Sequence, residues 1–202
     1  MSFNIESVKL RLIGTRPLIM ARGETANPFD KQSREIKRLT QKKGKSDEDY
    51  DAIARLQFAA AMYYDPDLGP YIPVDNLWKC CQEGASVYRE GPKVKSNVIV
   101  KGFVGKEIDP GGSQLMDGDG KVFPKDLGVL YAKHCFLKMG KLQKKSILTS
   151  RPKFDSWSCD LLVEFTEIDK ARVIDYFIVA GRLKAICAWR PQNGQFRVEV
   201  IK

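Results

Sequence analysis

The chain has 202 residues, 43% of them hydrophobic, and 34 Lys plus Arg against 25 Asp plus Glu leave a formal net charge of +9. That apolar share can fill a core and excludes wholesale disorder, and no run approaches the roughly 20 apolar residues of a membrane-spanning helix. A single histidine, His134, excludes a His-rich metal centre, and five cysteines without a C-x-x-C pair read as reduced thiols of a cytoplasmic protein.

Met1–Leu12 has no continuous apolar stretch, so no secretory signal is expected. Val8, Leu10 and Leu12 alternate with Ser7, Lys9 and Arg11, which predicts a first strand ended by Gly14 and Pro17. Pro17–Phe29 reads as irregular. Residues 30–45 carry seven cations against Asp30 and Glu35, and are expected to start as a short helix and become a mobile basic loop. Ser46 with Asp49 three residues on predicts a capped helix, with Tyr50, Ile53, Gln57, Ala60 and Ala61 at helical spacing up to Asp65-Pro66. Asp75 is expected to cap a second helix to about Tyr88, burying Leu77, Trp78, Cys81 and Ala85.

Lys93–Val104 reads as a strand with Val98 and Val100 on one face and Ile99 and Lys101 on the other. Residues 105–128 are expected to form a Gly-rich insertion, in which Asp117-Gly-Asp119-Gly120 reads as tight turns because no glutamate closes a calcium loop. Val129–Leu137 reads as another strand, and Trp157, Cys159, Leu161, Val163 and Phe165 alternate cleanly enough for a further one. Asp169 is expected to cap a third helix bearing Val173, Phe177 and Ala180, with Gly181 as its C-terminal cap, and Asn193-Gly194 to turn the chain into a last strand, Phe196–Ile201. This order predicts one α+β domain over 1–202. A ferredoxin-like or RRM-like β-α-β-β-α-β core would carry an antiparallel sheet with its helices on one face and inserted loops.

Charge points toward a polyanion, because clustered cations without nearby acids repel one another until phosphates neutralise them. Residues 133–154 contain no acid, and Lys133, Lys138, Lys141, Lys144, Lys145, Arg151 and Lys153 lie there. With Arg16, Lys42, Lys43, Lys93, Lys95 and Lys101 these are candidate phosphate contacts, and Tyr88 and Phe154, beside Arg89 and Lys153, are candidate platforms for unpaired bases. No nucleophile elbow, P-loop, dinucleotide fingerprint or metal-ligand cluster is present, so neither cofactor nor metal is expected.

The C-terminal run Ala180-Gly181-Arg182-Leu-Lys-Ala-Ile-Cys-Ala-Trp189-Arg190-Pro-Gln-Asn-Gly194-Gln-Phe196-Arg197-Val198 resembles the glycine-rich loop of the RAMP superfamily, the RRM-like backbone proteins of CRISPR effector complexes. Gly14-Thr15-Arg16-Pro17-Leu18 is similar to that family's first strand and loop, in the manner of a compact phage- or prophage-borne branch. Ala185 and Ala188 stand where further glycines are usual. The resemblance implies a modified RRM fold, binding of single-stranded RNA or DNA, and assembly of copies along the strand, with Arg182, Arg190, Gly194 and Arg197 as contacts.

Together these features predict a non-catalytic single-strand-binding protein with no membrane partner. Two other readings remain open. One is a metal-independent endoribonuclease, with His134 taking the proton of a 2′-hydroxyl and Lys133 or Lys144 stabilising the developing charge. The other is an anti-defence protein that imitates a backbone subunit.

Overall fold

The structure, a computed structural model, describes residues 4–23, 27, 29–109, 111–125, 133–142 and 145–202, and for 133–142 and 145–148 the backbone only. The elements in chain order are β1 (Glu6–Gly14), β2 (Leu18–Ile19), α1 (Lys31–Gln41), α2 (Asp47–Ala61), β3 (Tyr64–Asp65), β4 (Gly69–Pro73), α3 (Val74–Val87) and α4 (Gly91–Asn97). They continue with β5 (Val98–Val104), β6 (Glu107–Asp109), β7 (Gly112–Gln114), β8 (Lys133–Leu142), β9 (Lys145–Phe154), β10 (Ser158–Phe165) and α5 (Lys170–Val179). A π-helical turn, Ala180–Lys184, and β11 (Phe196–Ile201) complete the chain.

Instead of one domain, the chain forms two compact units. The larger draws on the described parts of Met1–Leu18, Tyr64–Tyr131 and Phe154–Lys202, the smaller on those of Ile19–Tyr63 and Ala132–Lys153. In the larger unit a five-stranded sheet runs β11-β1-β10-β5-β6, every pair antiparallel. Read along the chain as β1-α3-β5-β10-α5-β11, its first four strands have the order of a split β-α-β-β-α-β fold, the ferredoxin-like core that the periodicities predict.

Alternation decides which sheet face the helices cover. Val8, Leu10 and Leu12 of β1, Leu161, Val163 and Phe165 of β10, and Val98 and Val100 of β5 are buried. So are Leu77, Cys81 and Ala85 of α3 and Val173, Tyr176 and Phe177 of α5, recurring every three to four residues as a helix face requires. Removing a side chain such as Leu10 or Phe177 would cost about 2–5 kcal/mol through lost burial and the cavity left behind. Trp157, fully buried ahead of β10, packs edge-on to Phe196 and donates its indole N–H to the Arg16 carbonyl at 2.9 Å.

Several local expectations are corrected. Lys93–Asn97 is not strand: Pro92 stands in the first turn of α4, where its missing N–H is harmless, and Val94 is buried, so β5 begins only at Val98. Asp75 lies in the first turn of α3 and does not cap it; Pro73, still extended from β4, holds the cap position without a side-chain bond. Trp78 is half-buried and donates to the Val98 carbonyl. Gly181 is no helix cap but sits inside the π turn, and Ala185 ends it. In 105–125, β6 pairs back on β5, β7 joins β4 in a separate sheet β3-β4-β7, Met116 bridges Val122, and Asp117 closes the tight turn by accepting from the amides of Asp119 and Lys121. The remainder of that insertion, 126–128, and residues 129–132 of the strand expected over 129–137 lie outside the described residues.

In the smaller unit, the helix expected at the start of 30–45 spans Lys31–Gln41, because Asp30 caps it by accepting from Ser33 N at 2.7 Å. The predicted Ser46–Asp49 capping box opens α2, which stops at Ala61 ahead of Asp65. Pro17–Phe29 is not wholly irregular: β2 joins a three-stranded sheet, β2-β9-β8, and Met20 N donates to Pro152 O at 3.1 Å. No helix among the described residues is long and apolar enough to cross a membrane.

Candidate functional site

The sheet's open face in the larger unit carries Ser7, Lys9, Arg11 and Ile13 of β1, opposite Glu164, Leu162, Asp160 and Ser158 of β10. Three of its cations are matched by carboxylates. Arg11 makes a two-pronged pair with Asp160 at 2.6 and 2.7 Å, Lys101 meets Glu164 at 2.7 Å, and Arg197 pairs with Glu199. Bonding to Asp160 raises the Arg11 guanidinium further above its usual value. Lys9 lies over the Phe103 ring, 5.8 Å from its centroid. No aromatic stands at the central β1 and β10 positions of this face, where RRM domains stack bases.

The second cationic region is the connection from the π turn to β11. Between Asp175 and Glu199 there is no acidic residue, while Arg182, Lys184, Arg190 and Arg197 lie in that run. Three non-glycine residues there adopt left-handed backbone: Ala185 (φ 59, ψ 177), Cys187 (φ 64) and Trp189 (φ 57). Ala185 occupies a region otherwise held almost only by glycine, and such conformations cost on the order of 1–3 kcal/mol each, so surrounding contacts must hold them. Ile186 N donates to Gly194 O at 3.0 Å, Gly194 N to Pro17 O at 2.8 Å, and Thr15 N and Arg16 N both to Gln195 O. Arg190 reaches Glu83 of α3 at 2.6 Å. Gly194 (φ 73) is required, since a Cβ there would lie 2.0 Å from Ile186 O; at Gly181 one would lie 2.3 Å from Phe196 O.

This scaffold holds Trp189 44% exposed. Arg182 and Lys184 are exposed, and Gln195 Nε2 donates to the Arg182 carbonyl at 3.4 Å, so Arg16 and Arg182 flank the same residue. Neither arginine has an ion pair among the described residues.

The remaining predicted contacts scatter. Lys93 pairs with Glu90 at 3.2 Å, and Lys95 is exposed on α4. In the smaller unit Lys42 is bound to Asp49 at 2.6 Å, which holds the Asp49 carboxyl below its ordinary range, and Lys43 is exposed. The described part of the acid-free window forms the β8–β9 ribbon, whose register sets Cys135 opposite Arg151 and Lys133 opposite Lys153, the latter a pairing that like charges disfavour. Arg151 and Lys153 are half-buried and engaged. His134 pairs with Pro152 and Lys145 with Leu142 in the same ribbon, whereas Lys144 and the side chains of Lys133, His134, Lys138, Lys141 and Lys145 lie outside the described residues.

Of the two expected base platforms, one is buried and one is exposed. Phe154 is 1% exposed and packs on Phe123, with ring centroids 5.2 Å apart, because it continues the alternation that feeds the core. Tyr88 is 36% exposed and carries the Arg172 guanidinium 3.8 Å from its ring centroid, held there by Glu90 and Asp175. Arg172, then Tyr176 and Lys93, pull the Glu90 carboxyl down to about 2. Trp189, in the acid-free run, is the more exposed ring.

Among the described residues, no group of three or more His, Cys, Asp or Glu could hold an ion. Burial pushes the thiols of Cys81 and Cys187 up to about 12, and that of Cys80 well above its usual value. The chain matches no family model and no curated protein.

Proposed function

We propose that this chain is a non-catalytic, cytoplasmic binder of single-stranded nucleic acid, which it grips with the loop between the π turn and β11. Trp189 stacks an unpaired base, and Arg16, Arg182 and Lys184 neutralise the flanking phosphates. The observation that carries this reading is the exposed indole at Trp189, presented by left-handed backbone inside a run with four cations and no acid. An aromatic face accepts any base, so little sequence selectivity is expected, and a duplex, whose bases are already stacked, should bind less tightly. The likeness of this run to the RAMP loop supports the same reading and adds assembly of copies along the strand.

Fluorescence anisotropy with labelled single- and double-stranded RNA and DNA across a salt series tests it. Single strands should bind with a log–log salt slope of roughly −0.7 per phosphate neutralised. Salt-insensitive or absent binding would reject the reading. Incubated without metal and resolved on a denaturing gel, the RNA should remain intact.

A further inference from the structure

On the open face of the larger unit's sheet, beyond the Arg11–Asp160 pair, the inserted hairpins fold back over the strands. Ser113 Oγ donates to the Asp160 carbonyl at 2.7 Å, Met116 bridges both Ser158 and Val122, and β7 lies against β5 and β10. Between them is a cavity of about 300 Å³, with Phe103, Met116 and Val122 as apolar walls, Arg11 and Asp160 at one side and Lys106 beside them. That volume is at the lower end of the roughly 300–1,000 Å³ of small-molecule sites, which suits one ring system and not a chain.

The polar side is incompletely used. Arg11 spends Nε and Nη2 on Asp160, while Nη1, beside Gly120, makes no hydrogen bond among the described residues and keeps two N–H donors. The Asp160 carboxylate accepts one bond per oxygen and retains acceptor capacity next to those donors. A donor fork and an acceptor side by side, next to the Phe103 ring and the aliphatic Met116 and Val122, match the polar edge of a heteroaromatic base, which presents both kinds of group in one plane. Lys106 is exposed and Lys9 sits over Phe103, so cations stand where a phosphate attached to such a base would be.

We infer that this cavity is a nucleobase pocket, which receives one base extruded from the bound single strand while Arg11 and Asp160 read its edge. The inference rests on the single-strand reading but concerns residues apart from the Trp189 loop. It also gives a use to the open sheet face, where paired cations alone would add little phosphate affinity.

The test uses the full chain and a short single-stranded RNA bearing 4-thiouridine, with crosslinks mapped by mass spectrometry. Wild type should crosslink at Phe103, Met116 or Val122 as well as near Trp189. Val122→Trp, at a 39% exposed position that tolerates a larger side chain, fills the cavity and should abolish the first set and weaken binding roughly tenfold. Arg11→Lys keeps the ion pair but loses the planar fork, and should give the same loss with an unchanged melting temperature. Crosslinks confined to the Trp189 loop, or variants that bind as wild type does, would overturn the pocket and leave the single-strand reading standing. No binding of any strand by wild type would end both. Uridine monophosphate that displaced the cavity crosslinks as effectively as the oligonucleotide would make this a free-nucleotide site and overturn the assignment to the strand.

Discussion

The open sheet face and the loop from Ala185 to Gln195 belong to the same unit and are both rich in cations, yet they are built in opposite ways. On the sheet Arg11, Lys101 and Arg197 each face a carboxylate from a neighbouring position, and the pairing neutralises the field before any ligand arrives. Around the loop Arg16 and Arg182 both bond to Gln195 and have no carboxylate partner among the described residues, and the loop's left-handed backbone is held by helix α3 and the Gly14–Pro17 turn. A net charge of +9 therefore does not by itself mark a binding surface. What matters is where a cation's nearest carboxylate lies.

The same contrast separates the aromatics and gives the largest expected effect. Phe154→Ala should lower stability by about 3–5 kcal/mol in a urea titration while leaving the affinity of the folded fraction unchanged. Trp189→Ala should do the reverse, keeping stability within about 0.5 kcal/mol and costing about 1–3 kcal/mol of single-strand affinity. If Trp189→Ala bound normally, the loop would be a structural strut and the comparison would fail. Within the loop, Ala185→Gly should fold at least as well as wild type, whereas Ala185→Val should cost about 1–3 kcal/mol, because a β-branched side chain suits neither the left-handed backbone nor a fully buried site. Equal melting curves for the two would show that the backbone there is relaxed. The smallest effect is the sharpest discriminator. Arg16→Ala and Arg182→Ala should each flatten the log–log salt dependence by roughly 0.7, and Lys101→Ala, whose partner is Glu164, should leave it unchanged.

Much of the fold was legible because its signals are local. The alternation in β1 and β10, the Ser46–Asp49 box, Asp169 before α5 and Asn193-Gly194 before β11 each state a backbone preference within a few residues. The misses have local reasons too. At 93–97 the sequence suggests strand, but Pro92 starts a helix there and β5 begins only at Val98. The candidate site was less legible. Arg16 and Arg182 are brought to the same residue, Gln195, but a neighbouring cation says nothing about exposure, and Phe154 beside Lys153 is buried while Trp189 is not.

By itself the sequence determined the order of strands and helices and the face each would bury, since periodicity and caps act over one or two turns of chain. Only the tertiary structure decided which cations remain unneutralised and which rings meet solvent. Arg11 meets Asp160 across 149 residues, Arg190 meets Glu83 across 107, and Lys101 meets Glu164 across 63. Pairing at such separations depends on strand register and helix placement, which no window of neighbouring residues contains.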